Sequence, residues 1–517
     1  MQFEYNSDHP LVDPQTGAAR SAPADNPPDF PPAQPLPCAR ITTRIFRPER
    51  NLVETVPNVL VKTMTPTAAQ VAGGGTDVSW SSDDDDMSSS SDEDDMRDTT
   101  ATSSSMATPT AAAAGTTPTA AAAAAMAISL DHQTRAYLIK RTIRDAIYGR
   151  VLVAEILRRR HPADATRDNA EWEATSKLCA VKEMSWQHIR KERSRLAEDP
   201  IKEVSAMQYM KQWHTLGRPP QTADSVEDSF RIILETNIMM PLDLLTDDRH
   251  LYSIMPYCNG GELFERLDMN ERFSESEARY WMYQVLNVST ATNIYTARTA
   301  KAGGTPLSLI PWLFFYTQGI ENMQNAGICH RDMSLENLMV HESGALIIDM
   351  GMCLRIPFEP DALTSSFGNL SMNGGSGATQ PLTGTTSSIV PGRQRRRQLL
   401  TPQGTCGKWI YMSPEIYKNR ENFDGFGVDM WAAGVILFLM LTGFPPWERA
   451  CQTDERFRYM TAGYLVQMLT EWEIGLSGDA MDLLQRMLFL DPKDRLSLDQ
   501  VRAHPWMVNG PRQPPLL

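Results

Sequence analysis

Ten residues constrain this chain more than any others: Ile328 to Asn337, read as I-C-H-R-D-M-S-L-E-N. His330, Arg331 and Asp332 stand side by side, and Asn337 follows the aspartate by five positions. Twelve residues on comes Asp349-Met350-Gly351, closing the apolar run Ala345 to Ile348. Further along lie Tyr411-Met412-Ser413-Pro414-Glu415, the run from Asp429 to Gly434, Arg495 in D-P-K-D-R-L-S, and Ala503-His504-Pro505-Trp506.

Upstream, Leu178 to Met184 (L-C-A-V-K-E-M) reads as an apolar strand presenting Lys182. Pro200 to Trp213 reads as a helix, with Met207 and Met210 at helical spacing from Glu203. Gly217 to Leu234 reads as a loop. Two strands follow, Asn237 to Leu245 and His250 to Tyr257, around a turn at Asp247-Asp248. Met255-Pro256-Tyr257-Cys258 leads into Gly260-Gly261-Glu262-Leu263.

Taken together these motifs resemble those of a eukaryotic protein kinase of the Ser/Thr type, nearest the calcium/calmodulin-dependent-kinase-like group. The resemblance covers about Tyr137 to Met507. It implies an α+β, two-lobed fold: a small β-rich N-lobe with one main helix and a larger helical C-lobe. The family pattern H-R-D-x-x-x-x-N followed by D-F-G implies ATP and Mg²⁺ as cofactors and a protein as substrate. Asp332 would take the proton of the attacking hydroxyl, and Asn337 and Asp349 would hold the metal. Lys182 would bind the α- and β-phosphates, with Ala180 beside it. Glu203 would position Lys182, with Glu198 as the fallback. Gly149 and Val151 match the end of a glycine-rich phosphate loop. Met255, Tyr257 and Cys258 fall at the adenine-binding hinge, and Glu262 where the ribose is met. His330, Gly351, Glu415, Asp429 and Arg495 match structural positions, Glu415 and Arg495 as a buried ion pair and Asp429 as a brace for the catalytic loop. Thr401 and Thr405 are candidate sites for an upstream activating kinase, whose phosphate would pair with Arg331.

Four departures from the family stand out. Arg144 and Ala146 occupy the first two glycine positions of the phosphate loop. Ser334 stands where a lysine two residues after the catalytic aspartate neutralises the transferred phosphate, and Lys408 stands where a threonine is usual. These two positions are neighbours in the family fold, so Lys408 is expected to supply the charge that Ser334 lacks; alternatively it is a solvated loop residue. The stretch from Asn287 to Thr317 interrupts a helix opened by the capping box Ser274 to Glu277. Excising it aligns Ala278, Met282, Val285, Ile320 and Met323 on one face. The interruption is either a retained intron or a looped-out insert. Finally, Asp349 to Glu415 spans 67 residues, long for such a segment. Glu359 to about position 400 is read as an insert, Gly/Ser/Thr-rich in its middle and ending in the basic run Arg393 to Arg397.

Composition sets the surroundings. The formal charge is −14, and Met1 to Leu130 carries most of it, through the block S-S-D-D-D-D-M-S-S-S-S-D-E-D-D-M-R-D. Residues 1–130 are therefore expected to be a disordered arm, 131–258 the N-lobe and hinge, 259–507 the C-lobe, and 508–517 a tail. The near-neutral remainder argues against nucleic-acid binding. Seven dispersed cysteines without a C-x-x-C pair suit a reducing compartment, cytoplasmic or nuclear. No uncharged apolar run reaches a membrane span of roughly 18 residues, and a monomer is expected. No calcium-binding loop or basic amphipathic helix is present. Two rival readings are a pseudokinase serving as a nucleotide-binding scaffold and an acidic interaction protein.

Overall fold

The computed structural model describes residues 29–63, 135–160, 171–215, 226–286, 319–342, 344–358 and 397–512. Strand-forming sequence dominates the first half. Seven strands are β1 (Leu36–Arg47), β2 (Leu52–Lys62), β3 (Arg135–Ala146), β4 (Gly149–Arg159), β5 (Trp172–Ser185), β6 (Asp243–Thr246) and β7 (His250–Pro256). They close into a barrel in the order β1-β2-β3-β4-β5-β7-β6. β1 completes it by meeting β6 in parallel, Leu36 opposite Leu245.

This corrects the expected extent of the N-terminal arm. Residues 36–62 are two barrel strands, joined through a tight turn with Asn51 in the left-handed region at φ 49°. Three buried carboxylates and one half-buried acid tie them in. Lys62 Nζ lies 2.7 Å from Asp243 Oδ1, and the Tyr137 hydroxyl donates to Oδ2 of the same carboxylate. Burial works against the Asp243 charge, but Arg135 and Lys62 hold its carboxyl below the usual range. Arg40 of β1 pairs with Glu183, and Arg47 with Glu54 and, at 3.2 Å, Glu155. The acidic block and the Ala/Thr tract lie outside the described residues.

Helices α1 (Trp186–Glu192), α2 (Pro200–Thr215) and α3 (Val226–Thr236) follow β5. α3 replaces the second half of the loop expected over Gly217 to Leu234; its buried Ile232 and Ile233 pack into the main core. After β7 come α4 (Leu263–Asn270), α5 (Glu275–Leu286) and α6 (Gly319–Asn325). Short strands β8 (Ile328–Cys329), β9 (Leu338–His341), β10 (Gly344–Ile347) and β11 (Leu354–Arg355) frame the site. The remaining helices are α7 (Pro414–Lys418), α8 (Gly425–Thr442), α9 (Glu455–Tyr459), α10 (Leu465–Glu471), α11 (Gly478–Met487), α12 (Leu498–Ala503) and α13 (Pro505–Asn509).

α8 is the spine of the helical lobe. Every residue from Val428 to Thr442 is buried. Asp424 caps its start by accepting from Phe426 N–H, and Gly443 ends it at φ 81° with its N–H on Leu439 O, a conformation glycine adopts without Cβ strain. Among the described residues α8 alone is long and apolar enough to cross a membrane, and it lies almost wholly inside the lobe.

The interrupted helix resumes in step. Ala278, Met282, Val285, Ile320 and Met323 are all buried at 1% exposure or less. Gly319 sits so close to the carbonyls of Val285 and Gln284 that an added Cβ would fall 2.6 and 3.1 Å from them. Those are the carbonyls one turn back if Gln318 followed Leu286 directly. The inserted stretch itself lies outside the described residues.

Candidate active site

The site forms where the barrel meets the helical lobe. β5 carries Lys182 between Val151 on β4 and Ser253 on β7. α2 brings Glu203 to it, with Lys182 Nζ 2.6 Å from Glu203 Oε2. Burial opposes the lysine's charge, but Glu203, Asp349 and Glu198 outweigh it and raise its pKa. Glu203, not Glu198, is therefore the partner. Glu198 faces the same cleft, its carboxyl pushed up to about 8 by burial and by the nearby Asp349. One oxygen from each of Glu198, Glu203 and Asp349 lies within 4.8 Å of the others.

The stretch from His330 to Asn337 runs from β8 to β9. Asp332 is buried, and its two oxygens are separately held. Oδ1 accepts from Lys408 N–H at 3.2 Å and Oδ2 from Asn337 Nδ2 at 2.9 Å. Burial raises the Asp332 pKa and the Lys408 charge opposes that rise. Asn337 Nδ2 also donates to Asp332 O at 2.8 Å. Both donations leave the Asn337 amide oxygen to serve as an acceptor, a hard ligand suited to Mg²⁺ beside the Asp349 carboxylate. Arg331 and Asp349 both adopt left-handed backbone, at φ 66° and 65°, the kind of strain that functional sites retain.

Lys408 lies where the compensation idea requires. Its Nζ donates to Ser334 Oγ at 2.9 Å and lies 3.7 Å from Asp332 Oδ2. The lysine thus occupies the space beside Asp332 from the opposite segment.

The stretch expected to form the phosphate lid is the β3–β4 hairpin. Gly149 is required by packing: a Cβ there would run into the carbonyl of Glu183 on β5. Arg144, in a former glycine position, reaches across the cleft mouth to Glu262 Oε1 at 3.1 Å. Tyr148, which the sequence did not single out, is buried at the hairpin tip, its hydroxyl donating to Glu198 O at 2.8 Å. An aromatic between two strands, next to the lid glycine, was its one signal.

Ala180 faces Met255 across β5 and β7. Val151, Ala180, Met255, Tyr257, Cys258 and Glu262 all line the cleft with Lys182, Asp332, Asn337 and Asp349. Met339, two residues beyond Asn337, lines it too and was missed; its place in β9, with Leu338 and Val340 turned to the core, is the period-2 signal.

The supporting residues take the expected places. Asp429 Oδ2 and Oδ1 accept from His330 N–H and Arg331 N–H at 2.7 and 2.8 Å. Burial raises the Asp429 carboxyl to about 6. His330 Nε2 bonds Ile348 O at 2.9 Å. Gly351 N–H donates to Asp349 Oδ1 at 3.2 Å. Arg495 forks onto Glu415 at 2.8 and 3.2 Å. Thr401 and Thr405 are half-buried. Arg331, whose Nε donates to Met352 O, keeps a buried Nη1 with no hydrogen-bond partner among the described residues. Of the basic run, only Arg397 is described, paired with Asp424 at 2.6 Å.

A β-rich lobe carrying a lysine–glutamate pair, set against a helical lobe carrying an aspartate–asparagine–aspartate cluster, is a protein kinase fold. A model of the protein kinase domain matches residues 390–507. The chain is similar to protein kinases of the serine/threonine type, and its curated relatives carry that description. The probable serine/threonine-protein kinase MARK-C of Dictyostelium discoideum is 26% identical over 309 residues, covering 59% of this chain and 30% of that protein. Serine/threonine-protein kinase SAPK2 of Oryza sativa subsp. indica is 24% identical, covering 54% and 62%. Serine/threonine-protein kinase SRK2G of Arabidopsis thaliana is 25% identical, covering 61% and 69%. The chain thus spans less than two thirds of the first two of these relatives.

Proposed function

We propose that this protein transfers the γ-phosphoryl group of ATP to a serine or threonine hydroxyl of a protein substrate. The observation that carries this reading is one cleft holding both the Lys182–Glu203 pair at 2.6 Å and Asp332 bracketed by Asn337 and Lys408. In this reading Asp332 Oδ accepts the proton of the attacking hydroxyl, and the Asn337 bond aims it. Lys182 binds the α- and β-phosphates, and Glu203 keeps the ammonium in place. Lys408 neutralises charge developing on the transferred group, the part Ser334 cannot play. Asn337 and Asp349 would hold Mg²⁺, which screens the phosphate oxygens. Ala180 and the hinge at Met255, Tyr257 and Cys258 enclose the adenine.

An upstream kinase acting on Thr401 or Thr405 fits the open donor on Arg331, with Lys202 nearby as a second cation whose charge is weakened by burial and by Arg331. All seven cysteines are free thiols, which supports an intracellular site of action, cytoplasmic or nuclear, for a monomeric enzyme. The narrower calcium/calmodulin-dependent-kinase-like grouping remains our reading of the motifs alone.

The test is phosphate transfer from radiolabelled ATP by the full chain and by the chain lacking Asn287 to Thr317, each beside its Asp332→Ala variant. Transfer that depends on Asp332 supports the reading. Transfer only after the deletion makes the insertion foreign to the working protein. ATP binding without transfer in both refutes it in favour of a scaffold.

A further inference from the structure

Ahead of β1 the chain lies along α2. Asp29-Phe30-Pro31-Pro32-Ala33-Gln34-Pro35 holds three prolines, which pre-set an extended backbone at low entropic cost and remove N–H donors. Within Pro31 to Pro35 only Ala33 and Gln34 retain a backbone N–H, and both donate to α2. Ala33 N–H meets Ser205 Oγ at 3.2 Å, and Gln34 N–H meets Gln208 Oε1 at 2.9 Å. Gln208 returns a bond from Nε2 to Gln34 O at 3.3 Å. The Phe30 ring stands edge-on to Tyr209, centroids 5.8 Å apart.

The same segment reaches the far side of the site. Arg355, four residues after Gly351, donates to Asp29 O at 2.9 Å and lies over the Tyr209 ring at 5.0 Å. The start of α2 also touches the metal-binding turn, Asp199 N–H donating to Gly351 O at 3.4 Å.

We infer that Phe30 to Gln34 is a positioning strap. It holds α2 against the barrel so that Glu203 reaches Lys182, and through Arg355 it fixes the segment that follows Asp349. α2 has two working faces. Glu203, Met207 and Met210 are buried toward the cleft and core, and Ser205, Gln208 and Tyr209 take the strap. The strap is anchored because its next residues enter the barrel, Leu36 opposite Leu245 and Pro37 opposite Thr246. Displacing it frees α2 without unfolding the helical lobe. This inference rests on the proposed kinase reading for its activity readout only.

The experiment uses the full chain, with Phe30→Ala and Phe30→Leu each made alone and with Glu203→Gln. Phe30→Ala is expected to lower kcat by about 5-fold, the worth of an aromatic edge contact, and to raise deuterium uptake across Pro200–Thr215 while uptake in α8 stays unchanged. Phe30→Leu, which keeps an apolar side chain, restores most of the rate. With Glu203→Gln already present, Phe30→Ala costs less than it does alone, because the part of the strap's effect that runs through that glutamate is already lost. Equal losses in both backgrounds, or unchanged uptake in α2, overturn the strap. Uptake needs no phosphate transfer, so a chain inactive in every form would refute the proposed function while leaving this test decisive.

Discussion

Lys408 gives the sharpest test of the site. Its ammonium lies 3.7 Å from Asp332 Oδ2, with 18% of its side chain exposed. At an effective dielectric constant near 20, a unit pair at that distance attracts by about 4 kcal/mol before solvent competes. A preorganised charge of this kind, removed from a transition state, typically costs about 100- to 1000-fold in kcat. Lys408→Ala should therefore lower kcat by about 100-fold. The fold should hold, because the Lys408 backbone N–H on Asp332 Oδ1 is untouched. The pH profile carries a second signature. Burial raises the Asp332 pKa and Lys408 restrains it. Without Lys408 the carboxyl rises further, the base is protonated over more of the acidic range, and the acid limb of kcat/KM moves to higher pH. Adding Ser334→Lys to Lys408→Ala should return kcat to within about 10-fold of the parent and move the limb back. Steady-state phosphorylation between pH 5.5 and 8.5 (a range chosen to bracket roughly neutral operation) measures both. An unchanged rate in Lys408→Ala, or a double variant as slow as the single one, would refute the compensation.

Other perturbations read the scaffold. Arg495→Ala strands the Glu415 carboxylate in a half-buried site, and chemical denaturation should show a loss of roughly 3 kcal/mol or more. Asp429, held near 6 against an unfolded value near 4, keeps its proton longer when folded. Its linked stability is full below pH 4 and falls by roughly 3 kcal/mol as the pH rises to 6, so Asp429→Asn should flatten that slope in urea titrations and slow transfer by unseating the His330 and Arg331 amides. Gly149→Ala drives a methyl into the Glu183 carbonyl, and a raised KM for ATP with a lowered melting point should follow.

What the sequence disclosed follows from where chemistry leaves fixed spacing. Lys182, Asp332, Asn337 and Asp349 are legible because their motifs tolerate little change, and the cleft brings all four together. The helix face through Ala278 and Met323 was legible across its interruption because periodicity survives excision. The β1–β2 hairpin was not. Its alternating Ile41, Thr43 and Ile45, and the β-branched run near Val59, are a hairpin signal. Five prolines between Pro27 and Pro35 and the acidic block beyond drew the whole region into one compositional class. Nor could spacing reveal the Arg144–Glu262 pair or the strap, because both join residues more than a hundred positions apart.

The hairpin also changes the topology of the acidic stretch. Val61 of β2 stands opposite Ala136 of β3, so the chain that leaves the barrel at Lys62 must return to a neighbouring strand at Arg135. The serine-rich acidic block therefore lies in sequence between two strands of one lobe, not ahead of the lobe. Trimming the protein to begin after the block would delete two staves of the barrel and strip Asp243 of Lys62. Excising the block while joining β2 to β3 through a short turn would keep both.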